Sequence, residues 1–177
     1  MAAQDAFERQ GLDRLFFVPA ARAPLKEGGE CAPVEDRLAM LREAVDGDRR
    51  FEIADLEAKR GGTSYTVETA RLLRGLFPAD RLFWILGGDR LPMLTRWKDV
   101  AELAGIVEFI VLERPGFPAG SDPVVPGLRL HRCPGHLLEI SSTEIRGRIR
   151  RGMPLDFFMP RKTIVYIRDK GLYRTDG

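Results

Sequence analysis

Glu139-Ile140-Ser141-Ser142-Thr143-Glu144-Ile145-Arg146 decides the reading of this chain. It reads as the apolar end of a strand running straight into the N-terminus of a helix. Ser141 and Glu144 stand at the Ser-x-x-Glu spacing of a capping box, in which the serine side chain accepts from a free backbone N–H of the first turn. Free N–H groups and the positive end of the helix dipole converge at such a terminus and favour an anion. Ser142 and Thr143 add hydroxyl donors there, and Arg146 adds a planar, permanently charged fork suited to phosphate oxygens. An ordinary capped helix with a solvated arginine would carry the same letters, so the surrounding chain has to weigh in.

Outward from this stretch, apolar strand-like runs alternate with helix-like segments, the pattern of a parallel sheet wrapped by helices. Residues 15–18, 51–53, 82–86, 107–112 and 137–140 read as strands. Residues 35–45, 66–77 and 99–104 read as helices, and so do the segment opened by Ser141 and a last one between Pro160 and Gly171. Residues 114–127, rich in Pro and Gly, read as a surface loop. Gly87-Gly88-Asp89 and Ser141-Ser142-Thr143 both follow strands directly, and ligands of open parallel sheets sit beyond the carboxyl ends of strands. The pattern therefore predicts that both turns face one ligand site.

At 177 residues, 44% hydrophobic and 31% charged, the chain has the length and composition of one globular domain. A net charge of +2 is too mild to argue for nucleic acid, and the Arg146, Arg148, Arg150 and Arg151 cluster suits anionic substrates or a solvated helix face. Cys31 and Cys133 form no Cys-x-x-Cys pair, which points to a reducing compartment, and no apolar run approaches a membrane span. The expectation is a cytoplasmic protein with no membrane or nucleic-acid partner and no protein-ligated metal.

Several segments, in order, resemble the bacterial nicotinate-nucleotide adenylyltransferases of the nucleotidyltransferase superfamily. They are Val18-Pro19-Ala20, Ala23-Pro24-Leu25-Lys26, Gly62-Thr63-Ser64-Tyr65-Thr66, Gly87-Gly88-Asp89, Trp97, Arg114-Pro115-Gly116, Ile140-Ser141-Ser142-Thr143 with Arg146, and Gly171-Leu172-Tyr173. The resemblance spans residues 11–174 and implies a doubly wound, Rossmann-like α/β fold, with residues 1–177 as one nucleotidyltransferase domain. It implies adenylyl transfer from ATP to nicotinate mononucleotide in NAD biosynthesis, with Mg²⁺ accompanying ATP. It assigns Arg146 to catalysis. Lys26, Gly87, Asp89, Ser141, Ser142, Thr143 and Arg146 fall to ATP, and Ser64, Tyr65, Thr66 and Trp97 to the nicotinate nucleotide. In the pattern's own terms, Asp89 suits ribose hydroxyls at a strand exit, and the Trp97 indole suits a pyridine ring.

Two departures stand out. Leu25 replaces the histidine of the family's Pro-Pro-His-Lys loop. The family's opening strand, Gly-rich turn and His-x-Gly-His element are also absent, because residues 2–10 read as the second half of the helix that follows them. The chain's histidines are His131 and His136, which read as surface or packing residues. The expectation is therefore an N-terminally incomplete domain, Met1 being a misassigned or truncated start with roughly 15–20 residues upstream. Two alternatives stand beside the enzyme: a nucleotide-binding homologue without turnover, and an adenylyltransferase acting on nicotinamide mononucleotide.

Overall fold

The structure, a computed structural model, describes residues 1–22, 31–113, 122–136 and 140–174. In chain order its elements are α1 (Ala2–Gln10), β1 (Leu15–Phe17), α2 (Val34–Val45), β2 (Phe51–Ile53), α3 (Leu56–Arg60), α4 (Thr66–Leu76), β3 (Phe83–Gly87), a 3₁₀ helix (Gly88–Arg96), α5 (Val100–Ile106), β4 (Glu108–Leu112), β5 (Leu130–Cys133), α6 (Ser142–Arg150) and α7 (Arg161–Asp169). Every strand pairing is parallel, β1 with β2 and, separately, β3-β4-β5 in that order. The chain divides into two compact units, residues 1–13 with 64–139 and residues 14–63 with 140–177.

In the first unit, β4 is the middle strand of three. Its side chains alternate between two buried surfaces. Phe109 and Val111 pack with Val67, Ala70, Leu103 and Ala104 of α4 and α5, while Ile110 packs with Ala6 of α1 and Cys133 of β5. Helices thus cover both faces of this sheet, the doubly wound arrangement, and the run Phe-Ile-Val is apolar because both its faces are dry. Full burial of each such side chain is worth roughly 1.5–3 kcal/mol. α1 ends at Gly11, in the left-handed region at φ 58°, where its N–H closes on the Phe7 carbonyl.

In the second unit α7 lies antiparallel on α2, since the contacts run in opposite directions along the two. Lys162 pairs with Asp46, the Thr163 hydroxyl donates to the Met40 carbonyl at 3.4 Å, and the Tyr166 hydroxyl donates to Asp36 at 2.8 Å. Leu38, Ile164 and Ile167 form the buried side of this pair.

One strand was not expected. Among the described residues the last strand is Leu130–Cys133; of the expected strand 137–140, residues 137–139 lie outside the described residues, and Ile140 belongs to no strand. β5 escapes a hydrophobic-run search because Leu-His-Arg-Cys is half polar, as suits a strand paired on one side only. The short α3 and the 3₁₀ helix are also additions to the sequence reading.

At the N-terminal end of β4 the Glu108 carboxylate, its side chain 13% exposed, gathers an imidazole and two guanidinium groups. His131 Nε2 lies at 2.7 Å, Arg81 Nη2 at 3.1 Å and Arg129 Nε at 3.6 Å. The His131 hydrogen bond first, and then that of Arg81, hold the Glu108 carboxyl below its ordinary 4.5. A carboxyl depressed in the folded state stabilises above its unfolded value, and that contribution disappears as pH falls through the folded value. Glu108→Gln should therefore lower stability at pH 7 by about 1–2 kcal/mol, between exposed and buried pairs. The difference from the parent in urea midpoint should shrink as the pH is lowered below 4.5. A midpoint difference independent of pH would remove the carboxylate's charge from the account.

Candidate functional site

Gly87 ends β3 in register with Leu112 of β4, at the carboxyl end of the parallel sheet. The backbone turns at once into the 3₁₀ helix, whose Leu91 and Leu94 are buried and whose first turn carries Asp89. The Asp89 side chain is 20% exposed and faces Arg90 Nε at 3.5 Å. That helix ends at Trp97, which is half-buried against the same core that receives Tyr65.

Lys98 explains how Tyr65 and the Trp97 segment are brought together. Its ammonium pairs with Glu68 in the first turn of α4 at 2.9 Å and lies 4.3 Å from the centre of the Tyr65 ring. The Glu68 hydrogen bond raises the Lys98 pKa, so the tie is charged at neutral pH. Lys98 was not singled out by sequence; the signal lay in its position beside Trp97. Ser64 is buried, and Thr66 is the first residue of α4. The N-cap of α4 is Tyr65, with no side-chain cap bond. Gly87, Asp89, Ser64, Tyr65, Thr66 and Trp97 all belong to the first unit.

In the second unit the capping box is half realised as expected. The Ser141 hydroxyl accepts from the Glu144 N–H at 3.1 Å, with Ser141 in extended backbone at φ −115°, ψ 151°. Ser142 and Thr143 are exposed in the first turn. Arg146 is half-buried and donates to the Thr143 hydroxyl at 3.4 Å. Ser141, Ser142 and Arg146 line a groove of ≈ 530 Å³ with Arg37, Tyr173 and an apolar floor that includes Met40 and Ile167. Among the described residues its lining holds two arginines and no carboxylate. Arg37 and Tyr173 are additions to the sequence list; only Tyr173 had been noted, without a role. Lys26 and Arg114-Pro115-Gly116 lie outside the described residues.

Both histidines are engaged in the first unit. His131 bonds Glu108, and His136 gives its backbone N–H to Asp5 at 2.9 Å, with Nδ1 at 2.8 Å from the other carboxylate oxygen. Among the described residues no three His, Cys, Asp or Glu side chains gather as metal ligands, and no helix is long and apolar enough to cross a membrane.

Comparison with known proteins gives a consistent result. The cytidylyltransferase-like family model matches residues 1–148. A probable nicotinate-nucleotide adenylyltransferase of Opitutus terrae is 60% identical over 174 residues, covering 98% of this chain and 89% of that protein. One from Thermus thermophilus is 42% identical over 98% of this chain and 90% of its own. Among solved structures, the Plasmodium falciparum nicotinic acid mononucleotide adenylyltransferase complexed with NaAD is similar at TM-score 0.73. It is 18% identical, with 97% of this chain and 90% of that chain covered, a likeness of fold.

Removing the cap should separate helix stability from ligand affinity. Ser141→Ala is expected to cost about 1 kcal/mol of stability through the unpaired Glu144 N–H. Ser141→Asp should keep the cap but place a negative charge in the cationic groove. Chemical denaturation of the two variants, read beside their affinity for inorganic pyrophosphate, checks this. Equal pyrophosphate affinity in Ser141→Asp and the parent would remove the α6 N-terminus from the anion site.

Proposed function

The chain belongs to the nicotinate-nucleotide adenylyltransferases of the cytidylyltransferase-like family, and from that membership we propose that it transfers the adenylyl group of ATP to nicotinate mononucleotide, giving deamido-NAD and pyrophosphate. The observation that carries the reading onto this chain is the Arg146 groove at the capped end of α6, cationic and free of carboxylates among its lining residues. A phosphate oxygen of the mononucleotide attacks the α-phosphorus of ATP in line. A new P–O bond forms as the bond to the β-phosphate oxygen breaks, and pyrophosphate carries away the electron pair. No covalent enzyme intermediate is needed. Catalysis is then positioning plus neutralisation of charge on the transferring and leaving phosphates.

In this reading Ser141, Ser142, Thr143 and Arg146 hold the triphosphate, with Lys26 as a further point charge. Gly87 lets the backbone approach the adenosine, and Asp89 accepts from its ribose hydroxyls. Ser64, Tyr65, Thr66 and Trp97 receive the nicotinate ring and its carboxylate, the indole by stacking and the α4 N-terminus by its free N–H groups. Mg²⁺ enters with ATP, bound by phosphate oxygens and water, and adds charge neutralisation at the leaving group. The chain works in NAD biosynthesis, with ATP and nicotinate mononucleotide as its partners; the residue roles and the metal are part of the proposal. We place it in the cytoplasm.

The test is direct. Purified protein, ATP, Mg²⁺ and nicotinate mononucleotide should release pyrophosphate and yield deamido-NAD by chromatography, with nicotinamide mononucleotide a poorer acceptor. Binding of deamido-NAD with no pyrophosphate release would favour the non-catalytic homologue. Equal use of the two acceptors would favour the nicotinamide alternative. Arg146→Ala should weaken ATP binding by about 1.5–3 kcal/mol through loss of a charge-assisted contact, with the fold intact because the side chain is half-exposed. Unaltered ATP affinity in a folded Arg146→Ala protein takes Arg146 out of the site.

A further inference from the structure

The 3₁₀ helix and α5 are joined by a very short connector. Trp97 is the C-cap of the first, Asp99 the N-cap of the second, and Lys98 stands between them. Asp99 holds φ 48°, a left-handed backbone in which aspartate is better tolerated than most residues. A planar peptide bond couples Lys98 to the Trp97 backbone, and so short a joint leaves little freedom between the two.

The Lys98 ammonium lies 2.9 Å from a Glu68 oxygen and 4.3 Å from the centre of the Tyr65 ring. Both contacts fall on the start of α4. Tyr65 is its N-cap, and the Glu68 N–H donates to the Tyr65 carbonyl at 3.1 Å. An exposed ion pair contributes little to stability, and an exposed cation–π contact only somewhat more. What the two contacts do is directional. One side chain holds the Trp97 segment to the turn that opens α4, and Tyr65 and Trp97 pack partly against the same apolar cluster. A second charged tie starts one turn further along α4, where Arg71 donates two hydrogen bonds to Glu102 of α5. That pair joins helix to helix and leaves the contacts of Lys98 alone.

We infer that Lys98 is a positioning residue that sets the choice of acceptor, holding Tyr65 and the Trp97 segment in the arrangement that prefers nicotinate mononucleotide to nicotinamide mononucleotide. The inference rests on the assignment of Tyr65, Thr66 and Trp97 to the nicotinate nucleotide in the proposed function. Lys98 acts through its contact with Tyr65 and its peptide bond to Trp97, without a bond to the ligand. Its charge is already answered by Glu68, so it holds the segment and does not serve as the carboxylate's partner.

The experiment is equilibrium binding of nicotinate mononucleotide, nicotinamide mononucleotide and ATP to the full chain, with urea unfolding of each variant alongside. Lys98→Met keeps the apolar stem and loses both contacts. It should raise the Kd for nicotinate mononucleotide about three- to tenfold and leave that for ATP unchanged. The preference over nicotinamide mononucleotide should shrink by a similar factor. Lys98→Arg retains a cation for both partners and should restore the parental values. Glu68→Gln should shift the preference the same way but by less, because the ring contact remains. Glu102→Gln is the control: it breaks the helix–helix pair and should leave the preference parental. The inference is overturned by a parental preference in Lys98→Met, or by equal loss of both mononucleotides, which marks a merely structural role. Tighter nicotinate binding in Glu68→Gln also overturns it, since a freed lysine would then be meeting the carboxylate directly. Parental protein with no preference between the two mononucleotides would instead sink the nicotinate assignment, and this inference with it.

Discussion

β4 must be dry on both faces, and the geometry of the first unit depends on that. Phe109 and Val111 on one side and Ile110 on the other leave the strand no alternative register, because a slip of one residue would exchange the two buried sets. With β4 fixed, parallel pairing sets Gly87 opposite Leu112 and so fixes where β3 ends. The 3₁₀ helix that follows is anchored by Leu91 and Leu94, so Asp89 and Trp97 are carried on a rigid segment although neither sits in a strand or an α-helix. A ligand site built this way draws its precision from the apolar core and its chemistry from a few residues at the rim.

What sequence could and could not reveal follows from the range of the interactions. The α6 terminus was legible because a capping box is local: Ser141 and Glu144 are three residues apart, and their spacing is their geometry. The two-faced β4 was legible as an uninterrupted apolar run. β5 was not, because its Leu-His-Arg-Cys pattern makes sense only once His131 is seen reaching Glu108 across the sheet. Lys98 with Glu68, and Arg37 with Ala21 and Ala32, are likewise bonds between positions that sequence spacing cannot relate. The family resemblance supplied the names of Gly87, Asp89, Trp97 and Arg146; physical pattern alone left each balanced against a turn, a cap or a packing residue.

Charge is handled differently in the two units. Beside the Trp97 segment the cation is a lysine already neutralised by Glu68, which holds the Tyr65 end of α4 without offering a strong net charge to a ligand. Among the described residues that line it, the α6 groove has two arginines and no carboxylate, so that lining favours an anion. In the first unit discrimination then falls to shape, stacking and backbone N–H groups, and in the second attraction falls to charge.

The kind of cation matters as much as its place. Both histidines of the chain are committed to Asp5 and Glu108, and the groove's charged lining is arginine, which does not titrate at any physiological pH. Its phenol, Tyr173, is held above its ordinary value by burial and stays neutral over the same range. Near neutrality, then, the lining of the groove contributes no titration of its own. The group that changes charge there belongs to the ligand: the terminal phosphate of ATP loses its last proton at roughly pH 6–7, as phosphate esters do. Affinity for ATP without Mg²⁺ should accordingly strengthen through that value and level off by pH 8, as titrations in inert buffers at fixed ionic strength can show. A further rise or fall above pH 8 would mean that a titrating protein group outside this lining takes part in holding the phosphate.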